Sequence, residues 1–416
     1  MVAMLARLTL TLASALCACD GDDRPEVPID SDSGDVAVPP DAPSGPTRCE
    51  ESAGKQDFDR DGFTPTSGDC DDCDAARGPG ALDVPGDGVD QDCDGADAVG
   101  PAASCDDALD ADGDEDGIAI DDVARALGLC AKAREGRPGL IEARWLRLDG
   151  SERLADIRQA WLPPRFGARV MPREGGRMLV LSTGVARDLS DDAYTPACDV
   201  FSGARGATST WPGGVPLPKG FPHASSVCDE PRIDPAARAY DDVGLELLLR
   251  APSNAVALAF DSILFSAAYP DFLCAPSSDG FVALLEDAPE RFADGNVLVD
   301  AENDPVGADS SLLTVCARAR RGAREVACTD AILLEGTGYA RAESTCAPRA
   351  AGDDDVGGAA TGWLRTTVRV APGSTFTLRF HLWDAGDPLL DTTIALDHLR
   401  FLTTPVDERA PATMRE

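Results

Sequence analysis

Residues 57–97 read DFDRDGFTPTSGDCDDCDAARGPGALDVPGDGVDQDCDGAD, with thirteen Asp, no Glu, two Arg and three Cys. Like charges at this density repel one another unless a cation binds among them. Almost nothing in the stretch can build an apolar core. Only a metal ion or a disulfide can order such a segment, and it carries residues for both.

The spacing points to metal. Asp57, Asp59 and Asp61 alternate and run into Gly62, the D-x-D-x-D-G opening of a calcium loop, where alternate carboxylates converge and Gly makes the turn. Asp69, Asp71, Asp72 and Asp74 follow, and a second run, Asp87, Asp90, Asp92 and Asp94, ends in Gly95. The expected ligands are Asp57, Asp59, Asp61, Asp69, Asp71, Asp74, Asp90, Asp92 and Asp94. Calcium, which takes roughly six to eight hard oxygens, suits them better than magnesium. The loop is not an EF-hand, because the twelfth position from Asp57 is Gly68, not an acid. Two other readings stand beside calcium. One is a disordered acidic linker. The other is copper or zinc on Cys70, Cys73 and Cys93. The absence of His between Cys49 and Cys130 and the oxidation of exported thiols weigh against the second.

The order D-x-D-x-D-G, G-D-C-D-D-x-D, P-G-A and D-G-x-D-Q-D-C-D-G over residues 57–95 resembles the metal-binding repeat common in myxobacterial surface proteins. A related repeat occurs in a methanotroph's copper-binding outer-surface protein. This chain has Gly86 where many copies carry Cys, and Cys73 where many have Ser. The resemblance therefore implies a local disulfide partner shifted to Cys73 or to Cys49.

The N-terminus gives the compartment. Arg7 precedes an uncharged, mostly apolar run from Leu8 to Ala18, too short to span a bilayer but suited to a signal peptide. Leu16-Cys17-Ala18-Cys19 resembles a bacterial lipobox. Residues 1–18 are then a lipoprotein signal and Cys19 the acylated N-terminus, anchored in a lipid bilayer by two or three acyl chains. The alternative is plain secretion after Ala18. The expected location is the bacterial cell envelope, extracytoplasmic, at the outer membrane or cell surface. Of fourteen Cys, Cys17 and Cys19 are so accounted for, and an even twelve remain. In an exported chain that reads as a disulfide framework, with Cys316 and Cys328 able to clip one hairpin-like excursion.

A chain of 416 residues has room for two or three domains, and its net charge of −36 argues against nucleic acid as a partner. Residues 19–48 are rich in Asp, Pro and Ser and are expected to be an extended, disordered linker. Residues 49–105 hold the metal-binding repeat, residues 106–405 a β-rich domain and residues 406–416 a flexible tail. Asp110, Asp112, Asp114 and Asp116 with Gly117 repeat the alternating theme, read as a further ion loop or as a solvated turn capping a helix. Ile120, Val123, Ala124, Leu127 and Leu129 give that helix its period.

From residue 141 short strand-like runs dominate: ARWLRLDG, RMLVLSTG, VGLELLLR, AVALAFDSILF, GFVALLED, NVLVD, WLRTTVRV, STFTLRFHLWD and TTIALDHLRF. Phe376, Leu378, Phe380 and Leu382 alternate with Thr377, Arg379 and His381, predicting one buried and one wet face. The fold class is therefore mainly β, an antiparallel sandwich or jelly roll with one short helix before it. The long segment 186–241 is read as an excursion tied by disulfide through Cys198 and Cys228.

These runs, from ARALGLC through PREGGRMLVLSTGVAR and LAFDSILFSAAYPDF to TTIALDHLRF, resemble the choice-of-anchor L domain over about residues 122–401. That family pairs an extracellular domain with varied sorting anchors, and the resemblance implies fold and location but no catalytic residues. Relatives often show D-N-F where this chain has Asp397-His398-Leu399. No G-x-S-x-G, phosphate loop or H-E-x-x-H is present, and three His limit triads and zinc sites. The expectation is a non-catalytic protein that binds a glycan or a protein at the surface. A structural, calcium-stiffened role and a hydrolase using acids such as Asp384 and Asp387 are the alternatives. Trp211, Trp363 or Trp383 could platform a sugar, and Asp397 is expected to point inward, held by loop backbone or by a metal.

Overall fold

The apolar runs after residue 139 become strands of two antiparallel sheets in the computed structural model. The model describes residues 54–416 apart from 101–103, 114–116, 135, 155, 198–213, 224, 229–233, 270–271, 276–278, 293, 317–318, 322–323, 327, 341–342, 344–357, 387–388 and 408–409. The expected signal peptide, Cys19, the linker, Cys49, Asp114, Asp116, Cys198, Trp211, Cys346 and Asp387 lie outside the described residues.

In chain order the strands are β1 (Gly139–Trp145), β2 (Ala160–Trp161), β3 (Leu179–Ser182), β4 (Val215–Pro216), β5 (Arg238–Arg250), β6 (Ala257–Ser266), β7 (Gly280–Leu285) and β8 (Val315–Cys316). They continue with β9 (Ala319–Arg321), β10 (Arg324–Val326), β11 (Ala359–Ala360), β12 (Leu364–Arg369), β13 (Thr375–Ala385), β14 (Thr392–Leu402) and β15 (Thr413–Arg415). One sheet runs β1-β5-β13-β7, with β4 on the end of β5. The other runs β15-β12-β6-β14-β3-β2, with β11 and β8 beyond the end of β6. β9 and β10 pair with each other.

Leu245, Leu247 and Leu249 of β5 and Leu378, Phe380 and Leu382 of β13 face Phe260 and Leu264 of β6 and Ile394 and Leu396 of β14 in one core. The rings of Phe260 and Phe380 meet edge to face at 5.1 Å, so the sheets interdigitate as a sandwich does. Fully burying residues of this size contributes about 1.5–3 kcal/mol each.

The predicted wet face of β13 is not wet. Thr377, His381 and Trp383 are buried, and Arg379 is half-buried against Glu246. Leu148, Val215, Leu217 and Phe221 pack with Trp383, Ala239 and Val282 over this face. Gly244 has no room for a side chain: a Cβ would stand 2.2 Å from the Leu146 carbonyl oxygen and 2.5 Å from His381 Nδ1. The cover comes from segments remote in sequence, so alternation within β13 could not reveal it. The outer face of the second sheet is covered too, by Trp161, Phe166 and Tyr339 against Val180, Phe265 and Ala395.

NVLVD is the other correction. It makes isolated bridges rather than a ladder, because the Asn296 side chain accepts from the Ala283 and Leu298 amides where a neighbouring strand would pair. The helix forms as expected, at α1 (Ile120–Ala126), with Asp121 and Asp122 in its first turn and Val123, Ala124 and Ala126 buried.

Disulfides join Cys70 to Cys93, Cys105 to Cys130, Cys228 to Cys274 and Cys316 to Cys328. Cys73 is disulfide-bonded as well. The 316–328 clip is the one the sequence suggested. Cys228 does tie its long segment down, through Cys274.

The described residues belong to one compact unit, and the Asp-rich repeat is fastened to the sandwich. The Asn254 side chain clasps Leu82 from both sides: its Oδ1 accepts from the Leu82 amide at 2.8 Å and its Nδ2 donates to the Leu82 carbonyl at 2.8 Å. The Ser253 amide donates to the Gly80 carbonyl at 2.8 Å. Phe63, the repeat's buried aromatic, lies against Gly80 and Gly136.

Candidate metal centre

The repeat contains two loops of the same build. In the first, Asp57 accepts from the Arg60 and Gly62 amides, Asp59 from Asp61 and Asp61 from Phe63. In the second, Asp90 accepts from the Asp94 and Gly95 amides, Asp92 from Asp94 and Asp94 from Ala96. Arg60 and Cys93 take the same left-handed turn, at φ 68° and 58°, as do Gly62 and Gly95, at 101° and 105°. Each D-x-D-x-D-G therefore curls its carboxylates toward one point. The Cys70–Cys93 bridge and the bond from the Gly78 amide to the Gln91 carbonyl hold the two halves together.

Three carboxylate groups converge as a result: Asp57, Asp59 and Asp61; Asp59, Asp69 and Asp72; and Asp90, Asp92 and Asp94. The first two share Asp59. Asp69 and Asp72 are each only 6% exposed. The Oδ2 atoms of Asp59, Asp61 and Asp69 are buried and accept no hydrogen bond. Gly78 makes the space, since a Cβ there would lie 2.2 Å from Asp61 Oδ2. Burial, and then the neighbouring carboxylates, push Asp61, Asp69 and Asp92 above the usual carboxylate range and Asp59 up to about 6.

Seven of the nine expected ligands are thus brought together. Asp71 is not among them, because Arg77 takes it in an ion pair at 2.8 Å. Asp74 is exposed and accepts from the Ala76 amide in a turn. Sequence reasoning missed Asp72, which takes the place expected of Asp71. It also missed the bracing acids: Asp83 and Asp97 accept from backbone amides, and Asp87 accepts from the Val89 amide and the Gln91 side chain. The donor set is oxygen throughout. Cys70 and Cys93 are consumed in their bridge, so the thiolate site for copper or zinc does not form. Cys228, Cys274 and Asp309 also meet, but the two sulfurs there are a disulfide.

The other acids and aromatics singled out in the sequence fall as follows. Asp112 pairs with Arg187 at 3.2 Å, and Asp110 accepts from the Asp112 amide. Asp397 is buried and accepts from the backbone amides of Arg173, Glu174 and His398, the loop-backbone reading. Trp383 is fully buried and offers no sugar platform, while Trp363 is half-buried with the Arg173 guanidinium 5.9 Å from its ring centre. Of the hydrolase pair, Asp384 is fully buried. Among the described residues no helix is long and apolar enough to cross a membrane. Comparison with protein-family models, curated proteins and solved structures finds no match to this chain.

Proposed function

We propose that residues 57–97 bind calcium, and that the chain is a non-catalytic, lipid-anchored protein of the bacterial envelope whose β-sandwich engages a glycan or a protein. One observation carries the calcium reading. Three buried carboxylate oxygens, on Asp59, Asp61 and Asp69, have no donor, and they belong to two carboxylate triads that meet at Asp59. Burying such atoms without a partner costs several kcal/mol by order of magnitude, and a hard cation removes that cost. The Cys19 anchor rests on the lipobox, and the surface location on the two resemblances.

The experiment is calcium titration of the chain with protease susceptibility as the readout. Calcium in about the 10⁻⁴–10⁻³ M range should protect the repeat and raise the melting temperature. Asp59→Asn with Asp61→Asn should weaken that binding and leave the sandwich folded. Equal cleavage in EDTA and in millimolar calcium would sink the reading.

A second, structural role is favoured by the clasp between Asn254 and Leu82. A repeat fastened to the sandwich can pass the stability gained from calcium to the neighbouring loop. In that reading the ion stiffens the protein and no outside ligand is needed.

A further inference from the structure

Two hollows adjoin where the segment after β4 meets the loop that follows β7. The larger, of about 170 Å³, lies between Gly220, Phe221 and His223 on one wall and Arg291, Phe292 and Asn303 on the other. The smaller, of about 30 Å³, shares Phe221, His223 and Pro305 with it. Both walls are built into the fold. The Phe221 ring meets Trp383 of β13 edge to face at 5.0 Å. Phe292 is buried and belongs to the main core. The Arg291 guanidinium lies 4.5 Å from the Phe292 ring centre and donates to the Ala410 carbonyl at 3.0 Å. Gly220, at φ 89°, lets the walls close together, since a Cβ there would stand 2.6 Å from Asp294 Oδ2. Asn303 holds a left-handed turn at φ 65°, and its amide donates to the Asp300 carbonyl at 3.2 Å. A pocket so braced needs little ordering when a ligand arrives.

Lining and rim differ in chemistry. Phe221, Phe292, Val299 and Pro305 give the larger hollow an apolar lining, and exposed His223, Arg291, Asp294 and Asn303 stand around it. The rim offers a carboxylate that accepts, a guanidinium that donates, and an amide and an imidazole that do both. Its charges are matched: Lys219 lies 3.5 Å from Asp294, and His223 Nδ1 lies 3.9 Å from Asp304. An anionic ligand would also meet the field of a chain whose net charge is −36. A wholly apolar ligand would take water from the rim groups and return no hydrogen bonds. What suits both parts is an uncharged ligand with a C–H face for the lining and hydroxyls at its edge that donate and accept. A hexose ring has that form.

We propose that the larger hollow binds one neutral hexose unit of a glycan, with an exocyclic group entering the smaller space beyond Phe221. The proposal rests on the reading of the sandwich as a module that engages an outside ligand, and it narrows that reading to a sugar and a place. The smaller space, at about 30 Å³, has room for a hydroxymethyl group or a water and not for a second ring.

Saturation-transfer NMR of the full chain in millimolar calcium, with glucose, galactose, mannose and glucuronate as probes, tests it. Transfer from the protein's aromatic protons to the ring C–H protons of at least one neutral hexose is expected, and none to glucuronate. Asn303→Gly, which suits the left-handed turn, and Asp294→Ala each remove rim hydrogen bonds to hydroxyls. Each should weaken binding of that hexose about tenfold and leave the melting temperature unchanged. Hexose binding untouched by both substitutions would overturn this hollow and leave a sandwich that binds glycan elsewhere. No transfer to any of the three hexoses would overturn the hollow too, while a protein ligand for the sandwich would stand. A preference for glucuronate would overturn the neutral assignment.

Discussion

At the scale of single residues, two acids paired across β6 and β14 show how surroundings decide ionisation. Asp261 and Asp397 are register partners, and both are buried. Burial would raise Asp261, but His398 and Arg365 more than offset it: Arg365 grips the carboxylate at 2.8 and 2.9 Å, and its pKa falls well below the carboxylate range. Asp397 has backbone amides for partners, and burial pushes it up to about 7. The signs are opposite. The depressed Asp261 contributes stability that is present above the ordinary carboxylate pKa and is lost as pH falls through its folded value. The raised Asp397 contributes stability that is present below that ordinary value and is lost as pH rises through about 7. At fixed calcium, Asp397 should therefore lower the melting temperature as pH rises from the ordinary carboxylate range to about 7, and Asp397→Asn should flatten that decline. An unchanged slope over that window in the variant would show that other groups set it. Neither shift was legible in the sequence, because the Arg365 side chain arrives from β12 and the Arg173 and Glu174 amides from a loop.

At the scale of elements, legibility followed locality. The helix α1 was readable because its period lies within a dozen residues, and the D-x-D-x-D-G loops because their turns are encoded by their own Asp and Gly. The exchange of Asp71 for Asp72 was not, since it depends on where Arg77 swings back. The face of β13 was misjudged because its cover comes from near Leu148 and Phe221, and NVLVD because one Asn side chain stands in for a strand. The clasp was equally hidden: Asn254 and Leu82 are 172 positions apart. It gives a direct prediction. Asn254→Ala removes two hydrogen bonds, a loss of about 1–3 kcal/mol. Protease should then cut the repeat faster at the same calcium concentration, and the calcium-dependent rise in the sandwich's melting temperature should shrink. If both stay at wild-type values, the clasp is incidental and the repeat docks through Phe63 and the bond from the Ser253 amide to the Gly80 carbonyl.

At the scale of the molecule, all nine described cysteines are disulfide-bonded. Labelling of denatured, unreduced mature protein should find essentially no free thiol, and intact mass should show an acyl adduct at Cys19. Two or more labelled cysteines would contradict the framework, and an unadducted mass would remove the anchor. The same bridges govern what happens when the chain is pulled. Were the N-terminal side tethered and the sandwich bound to something outside, as proposed, force would reach the repeat before it reached either sheet. The Cys70–Cys93 bridge closes 23 positions into a ring that cannot lengthen. Reduced, that ring would pay out about 80 Å of extended chain, at roughly 3.4 Å per residue. Oxidised, it passes tension straight through to the next segment. The protein's slack is thus set by redox chemistry, and a reducing environment would turn a short strap into a long leash.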